Sequence, residues 1–389
     1  ANNTAIGFSS LENNTTASNN TAVGYDSLKF NTTGHSNTAV GAASLDANTT
    51  GLYNTSIGHG SLGANTTGQS NTGLGRSALI TNTTGDNNTA VGMDALLSST
   101  TASNNTAIGY EALLLNTTGE SNVAVGSQAL DANTTGLNNT AVGRQALDGN
   151  TTGSRNVAVG TNALDKNTTA SYNTAVGDGA LKTNTTGAAN TVVGSGAGDN
   201  VTTGGDNTFV GNEAGDTVTT GQQLTIIGGY ADANATIHNA TAIGYNTNVT
   251  ATSNIFLGNT SVSAIKGQVS FSTYSDERIK REIEDTDLGL EFIKELKPRK
   301  YKRVAPKDYP EEFKDPNKDD LSNPDYIVDG LVAQEVKQTM DKLDVTFSGW
   351  DEDKNTTKQS LEYPAFVPAL IKAVQELSTT VDELKAEIQ

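Results

Sequence analysis

The chain has 389 residues, no cysteine, 25 basic and 43 acidic side chains, and a formal net charge of −18 at pH 7. The missing cysteines exclude disulfide frameworks, thiolate catalysis and cysteine zinc sites, and an acidic chain without a basic patch is repelled by phosphate backbones, which argues against nucleic-acid binding. No run of about 18 apolar residues is present to span a membrane, and no signal peptide precedes Ala1, so the chain is expected to be soluble and a fragment of a longer protein.

Charge is spread unevenly. Residues 1–274 hold 16 acidic and 7 basic side chains and the remaining 115 residues hold 27 and 18, which places a domain boundary near residue 270. Within the first part, glycine recurs every 17 residues from Gly7 through Gly24, Gly41 and onward to Gly228. Strict self-similarity at such a period predicts a solenoid. The block before each glycine reads Asn-Thr-Ala-Val-Gly at 20–24 and 37–41, with a β-branched residue just ahead of the glycine, and predicts strand cores. A leucine follows four residues after the glycine, as at Leu28, Leu45 and Leu62, and three residues later comes Asn-Thr-Thr-Gly, as at 31–34 and 48–51. Three constant blocks separated by variable pairs predict a triangular rung, with stacked asparagine and threonine ladders. The Asn-Thr-Thr triplets fit the N-glycosylation pattern, but their fixed period gives them an architectural reason. A rung with about two large apolar side chains buries too little to order 17 residues alone, so three chains sharing faces are expected.

After Gly228 the period slips, with glycines next at Gly244 and Gly258, so residues 229–274 read as an irregular β neck and Ile255–Phe256–Leu257 as its plug. This shaft repeat resembles the head repeats of trimeric autotransporter adhesins, which implies a parallel β-roll. The adhesin period differs from 17 residues.

From Thr273 the chain reads Thr-Tyr-Ser-Asp-Glu-Arg-Ile-Lys-Arg-Glu-Ile; further on stand Leu296-Lys297-Pro298 with Tyr301, Gly330 through Val336, Tyr363 through Pro368, and Ala373 through Leu377. These blocks resemble, in order, the intramolecular chaperone domain of phage endosialidases and tail fibres, peptidase family S74. The resemblance implies a chaperone domain over 275–389 and a serine, Ser275, that attacks the carbonyl before it with Lys280 as proton acceptor, cutting between Tyr274 and Ser275. A serine hydroxyl is a weak nucleophile and needs a neutral amine beside it, favoured by burial or by positive neighbours such as Arg278 and Arg281. The alternative for the same residues is structural: Ser275 or Asp276 caps a helix over 276–284 with Lys280 on its solvated side. Leu370, Val374, Leu377, Val381, Leu384 and Ile388 alternate spacings of four and three, predicting a coiled-coil helix over about 366–389 or, alternatively, an amphipathic helix packed on its own domain.

Other signals are weak. Asp351, Asp353, Asn355 and Glu362 have EF-hand-like spacing, but Thr356 stands where glycine is needed, and Val345–Tyr363 reads better as a β-hairpin. His35, His59 and His238 are scattered, no paired carboxylates face a groove for glycan hydrolysis, and Gly194, Gly196 and Gly198 continue the shaft period, so no metal or cofactor is expected. Tyr25, Phe30, Tyr53, Tyr110 and Tyr172 sit at rung corners where sugars can stack. The sequence therefore predicts a mainly β, trimeric, parallel β-solenoid shaft over 1–228, the neck, and a smaller α+β chaperone domain. Such a chain serves host attachment as part of a viral tail, with a homotrimer, a host surface receptor and other tail proteins as partners. The alternative is an uncleaved bacterial surface adhesin or filament using the same chaperone.

Overall fold

Each rung of the repeat contributes one strand of three residues. Sixteen such strands, from Thr4–Ile6 to Ile255–Leu257, stack in chain order into a single parallel sheet. They belong to the first of two units, Ala1–Asn259 and Thr260–Gln389; the computed structural model describes residues 2–262, 265, 275–302, 309–310, 327–352 and 357–388. Thr21, Ala22 and Val23 pair with Thr38, Ala39 and Val40, so the 17-residue period is one turn of a parallel β-solenoid. Sixteen strands at about 4.8 Å per step make a stack roughly 70 Å long. The sheet continues past Gly228: strands at Thr241–Ile243 and Ile255–Leu257 extend it through the first part of the expected neck. Phe256 there is half-buried against the core, whereas Ile255 and Leu257 face outward.

Of the three constant blocks, only Asn-Thr-Ala-Val-Gly forms strand. The Ser-Leu and Asn-Thr-Thr blocks run through turns, yet still bond rung to rung: Leu28 N donates to Ser44 O at 3.1 Å, Phe30 N to Asp46 O at 2.9 Å and Thr32 N to Thr49 O at 3.0 Å. Left-handed residues recur at matching places, with φ of 54° at Asp26, 49° at Leu28 and 59° at Ser36. Such conformations cost about 1 to 3 kcal/mol each and persist only where the surroundings over-determine them. Here each sits beside a neighbouring rung of the same conformation.

The core differs in one respect from the sequence expectation. Alanine, not the β-branched residue, points inward from each strand: Ala22, Ala39 and Ala90 are fully buried with Leu28, Leu45 and Leu96, while the residue before the glycine faces out. Alternation along a three-residue strand allows one inward side chain only. The repeat's asparagines line the rest of the interior. Asn48 Nδ2 donates to Asn31 Oδ1 at 2.9 Å and to Gly51 O at 3.1 Å, and Asn37 Nδ2 of the rung below reaches the same carbonyl at 2.8 Å. These asparagines are 0 % exposed, so the glycosylation pattern is closed to an enzyme once the coil has formed. The ladder breaks where its residue changes. Asn82 Oδ1 and Asn184 Oδ1 lie buried without a partner because the next rung offers Ser99 or Val201 in place of asparagine.

Near its end the core exchanges volume between positions. The leucine column gives way to Gly198 and Gly215, and the inward alanine becomes Val192, Phe209 and Ile226. A Cβ at Gly215 would lie 2.7 Å from Phe209 Cε2. The ring occupies space that the leucines vacate, as close packing demands. The recurrent glycine has a stricter reason. Gly143 has φ +135°, and a Cβ there would lie 2.6 Å from the Gly160 carbonyl carbon. Gly143→Ala is therefore expected to cost about 3 kcal/mol or more, as strain and a backbone clash combine. Thermal unfolding of this variant beside Arg144→Ala checks it; equal midpoints would contradict it.

Carboxylates stack at one outer position of the rung. Asp131 is pushed up to about 8, first by burial and then by its hydrogen bond to Asp148, one rung away. Burial likewise raises Asp46, Asp199 and Asp232. A carboxyl whose folded pKa lies above its unfolded value contributes stability that is complete below the unfolded pKa and is lost as pH rises through the folded one. The solenoid should thus lose thermal stability between about pH 4 and about pH 8, and Asp131→Asn should flatten that slope. An unchanged slope in calorimetry of the variant would rule out this source.

The second unit is α+β. It holds helices α1 (Leu290–Glu295), α2 (Ala333–Leu343) and α3 (Phe366–Ile388) and two antiparallel pairs, Arg299–Lys302 with Ile327–Gly330 and Trp350–Glu352 with Gln359–Leu361. The second pair lies within the segment expected to form a hairpin. Phe292, Phe347 and Phe366 centre its core, with ring centroids 5.5 and 4.4 Å apart along the series.

Candidate functional site

The predicted nucleophile and base stand at the start of the second unit. The helix expected over 276–284 is a single 3-10 turn, Glu277–Ile279, capped by Asp276, whose carboxylate accepts from Arg278 N at 2.9 Å. Ser275 therefore does not cap it. The turn closes with Lys280 N donating to Glu277 O at 3.0 Å and brings the lysine back over the serine, Lys280 Nζ lying 2.7 Å from Ser275 Oγ. That is hydrogen-bond distance for the proton transfer a serine nucleophile needs. A helix continuing past Ile279 would fix the five-residue separation differently, so the short turn is what pairs the two side chains.

The surrounding charge is arranged differently from the sequence expectation. Arg278 is bound by Asp276, its guanidinium Nε 2.9 Å from Oδ1, and this hydrogen bond holds the Asp276 carboxyl below its ordinary range. Arg278 is thus spent on its neighbour. Ser275 and Lys280 are both exposed in the single chain. Tyr274, which carries the carbonyl to be attacked, lies outside the described residues, as do Asp353, Asn355 and Thr356 of the EF-hand-like spacing. No cluster of three metal-ligating side chains occurs among the described residues, and none of the described helices is long and apolar enough to cross a membrane.

Two supports of this unit escaped the sequence. Glu376 on α3 accepts from Leu290 N at 2.7 Å, so its carboxylate caps the N-terminus of α1. A Cβ on Gly289 would lie 2.7 Å from Glu376 Cδ, so a side chain there would push the capping carboxylate aside. Tyr363 Oη accepts from Leu331 N at 2.8 Å, tying the turn before α3 to the strand end at Gly330. Contacts between residues 86 and 32 positions apart leave no local pattern to read.

Helix α3 buries Phe366, Ala369 and Ala373. Its heptad residues Leu370, Val374, Leu377, Val381 and Leu384 are 40 to 65 % exposed, and every described residue from Leu377 on is exposed. Three turns of helix with no tertiary packing are marginal in water.

Residues 275–344 match the family described as Peptidase_S74, chaperone of endosialidase. The match begins at Ser275. No curated protein matches the chain. The C-terminal region thus carries a chaperone-of-endosialidase domain, and such a domain together with a parallel β-solenoid fits a tail fibre with an intramolecular chaperone.

Proposed function

We propose that this chain is the distal part of a viral tail fibre for host attachment, whose chaperone domain trimerises the shaft and then releases itself by cutting between Tyr274 and Ser275. The observation that carries the cleavage is the 2.7 Å approach of Lys280 Nζ to Ser275 Oγ at the first residue of the chaperone match. In this mechanism neutral Lys280 takes the hydroxyl proton as Oγ bonds to the Tyr274 carbonyl carbon. The carbon–nitrogen bond then breaks, the proton passes to the departing Ser275 amine, and water hydrolyses the resulting ester to leave a Tyr274 carboxylate. Because both side chains are exposed in the single chain, assembly supplies the burial that favours a neutral lysine. The unpacked end of α3, with its heptad stripe, is the natural trimer contact.

Attachment itself is assigned to the shaft and its corners. Tyr25, Tyr53 and Tyr172 are each 57 % exposed, Tyr25 stacked on Phe8 at 5.7 Å and Tyr172 under Arg155 at 5.3 Å, offering sugar-sized aromatic platforms. Denaturing mass spectrometry of the folded protein tests the release: two fragments, the second beginning Ser-Asp-Glu-Arg, are expected. One intact species after long incubation would make the domain a permanent cap, as in a bacterial surface filament.

A further inference from the structure

The outward face of the shaft sheet is a comb of two columns. The first and third residues of the strands face out, threonine in most strands at the first place and valine, isoleucine or leucine at the third in all sixteen. None of these side chains is charged. Ile57, Leu74, Ile108, Val142, Val193 and Ile227 are 36 to 44 % exposed although identical columns cover them above and below, so what remains open is the face itself. An uninterrupted apolar stripe along a whole soluble unit marks an interaction surface.

The geometry points to this face as the surface through which copies of this chain pack side by side, parallel and rung against rung; the inference rests on the trimer reading above. Three observations select the occupant. The face is roughly 70 Å long and about 10 Å wide, about 700 Å², close to the roughly 800 Å² per partner of a standard stable interface. Its columns repeat at the strand spacing, and a second comb of the same pitch comes from another copy of the same solenoid. It lacks the cations that an anionic membrane or a phosphate ligand would require. The arrangement also explains why a chaperone is needed. A periodic stripe can slide by one rung, about 4.8 Å, and still meet apolar residues, so the face holds the shafts together without setting their register. The unpacked heptads of α3 are aperiodic with respect to the rungs and can set it.

The chain has no cysteine, so single spin labels can be placed without background. In the full-length protein, labels at Val142→Cys and at Thr135→Cys, seven residues earlier in the rung, are compared by pulsed electron resonance, with the oligomer mass measured in parallel. Both positions are exposed, so the coil tolerates either label. A trimer with a shorter inter-chain distance at 142 than at 135 is the expected result. A trimer with the longer distance at 142 would overturn the interface while leaving assembly through α3 intact, and a monomeric mass would overturn both. Glutamates at Val125, Val142 and Val159 together should lower the thermal midpoint of the trimeric shaft well below that of the unsubstituted protein; an unchanged midpoint would likewise overturn the interface.

Discussion

Ser275→Ala is expected to leave a single chain of 40.3 kDa, and the wild-type protein is expected to yield two fragments. The substitution removes only the hydroxyl that forms the ester. Ser275 is exposed and does not cap the 3-10 turn, so the domain should fold and assemble as before. Lys280→Ala should slow the cut by a factor on the order of 10² to 10⁴, the usual contribution of a positioned general base. Arg278→Ala is the informative control. If the guanidinium serves only to bind Asp276, as its hydrogen bonds indicate, its loss should change the rate far less than loss of Lys280. Cleavage undiminished in Ser275→Ala would place the nucleophile elsewhere.

Truncation at Asp276 is expected to have the second large effect, converting the shaft from an ordered assembly into aggregated or misregistered material. The solenoid buries two alanines and one leucine in most of its leucine-bearing rungs, and on the trimer reading its register between chains is degenerate by whole rungs. If the second unit aligns three copies as proposed, its loss leaves nothing aperiodic to do so, and the exposed comb of valines and isoleucines is expected to pair indiscriminately. Sedimentation and circular dichroism of the truncated chain decide this. A soluble, well-ordered shaft at monomer mass would show that the coil needs no chaperone.

Much of this structure was legible in the sequence because repetition multiplies weak signals. The 17-residue glycine ruler located every strand of the regular shaft to within its residues, and the asparagine columns form the predicted ladders. The facing of each strand was not legible. A three-residue segment Thr-Ala-Val is compatible with either face inward, and alanine loses to valine on hydrophobicity alone; the leucine column, which fills the interior from another side of the rung, decides the matter. The left-handed conformations recur at the same rung positions whatever residue stands there, Asp26, Ala43 and Gln128 in one column and Leu28 and Leu45 in another, so stacking rather than residue type sets them. In the second unit, Ser275 and Lys280 were found through their resemblance to a known family. Their closeness depends on a turn shorter than the helix that local capping signals predicted.

Assembly is the claim on which the release, the shaft interface and the exposed end of α3 all depend. Light scattering on the uncleaved Ser275→Ala chain tests it most directly. A mass about three times 40.3 kDa is predicted, and a folded, stable species at 40.3 kDa would contradict it.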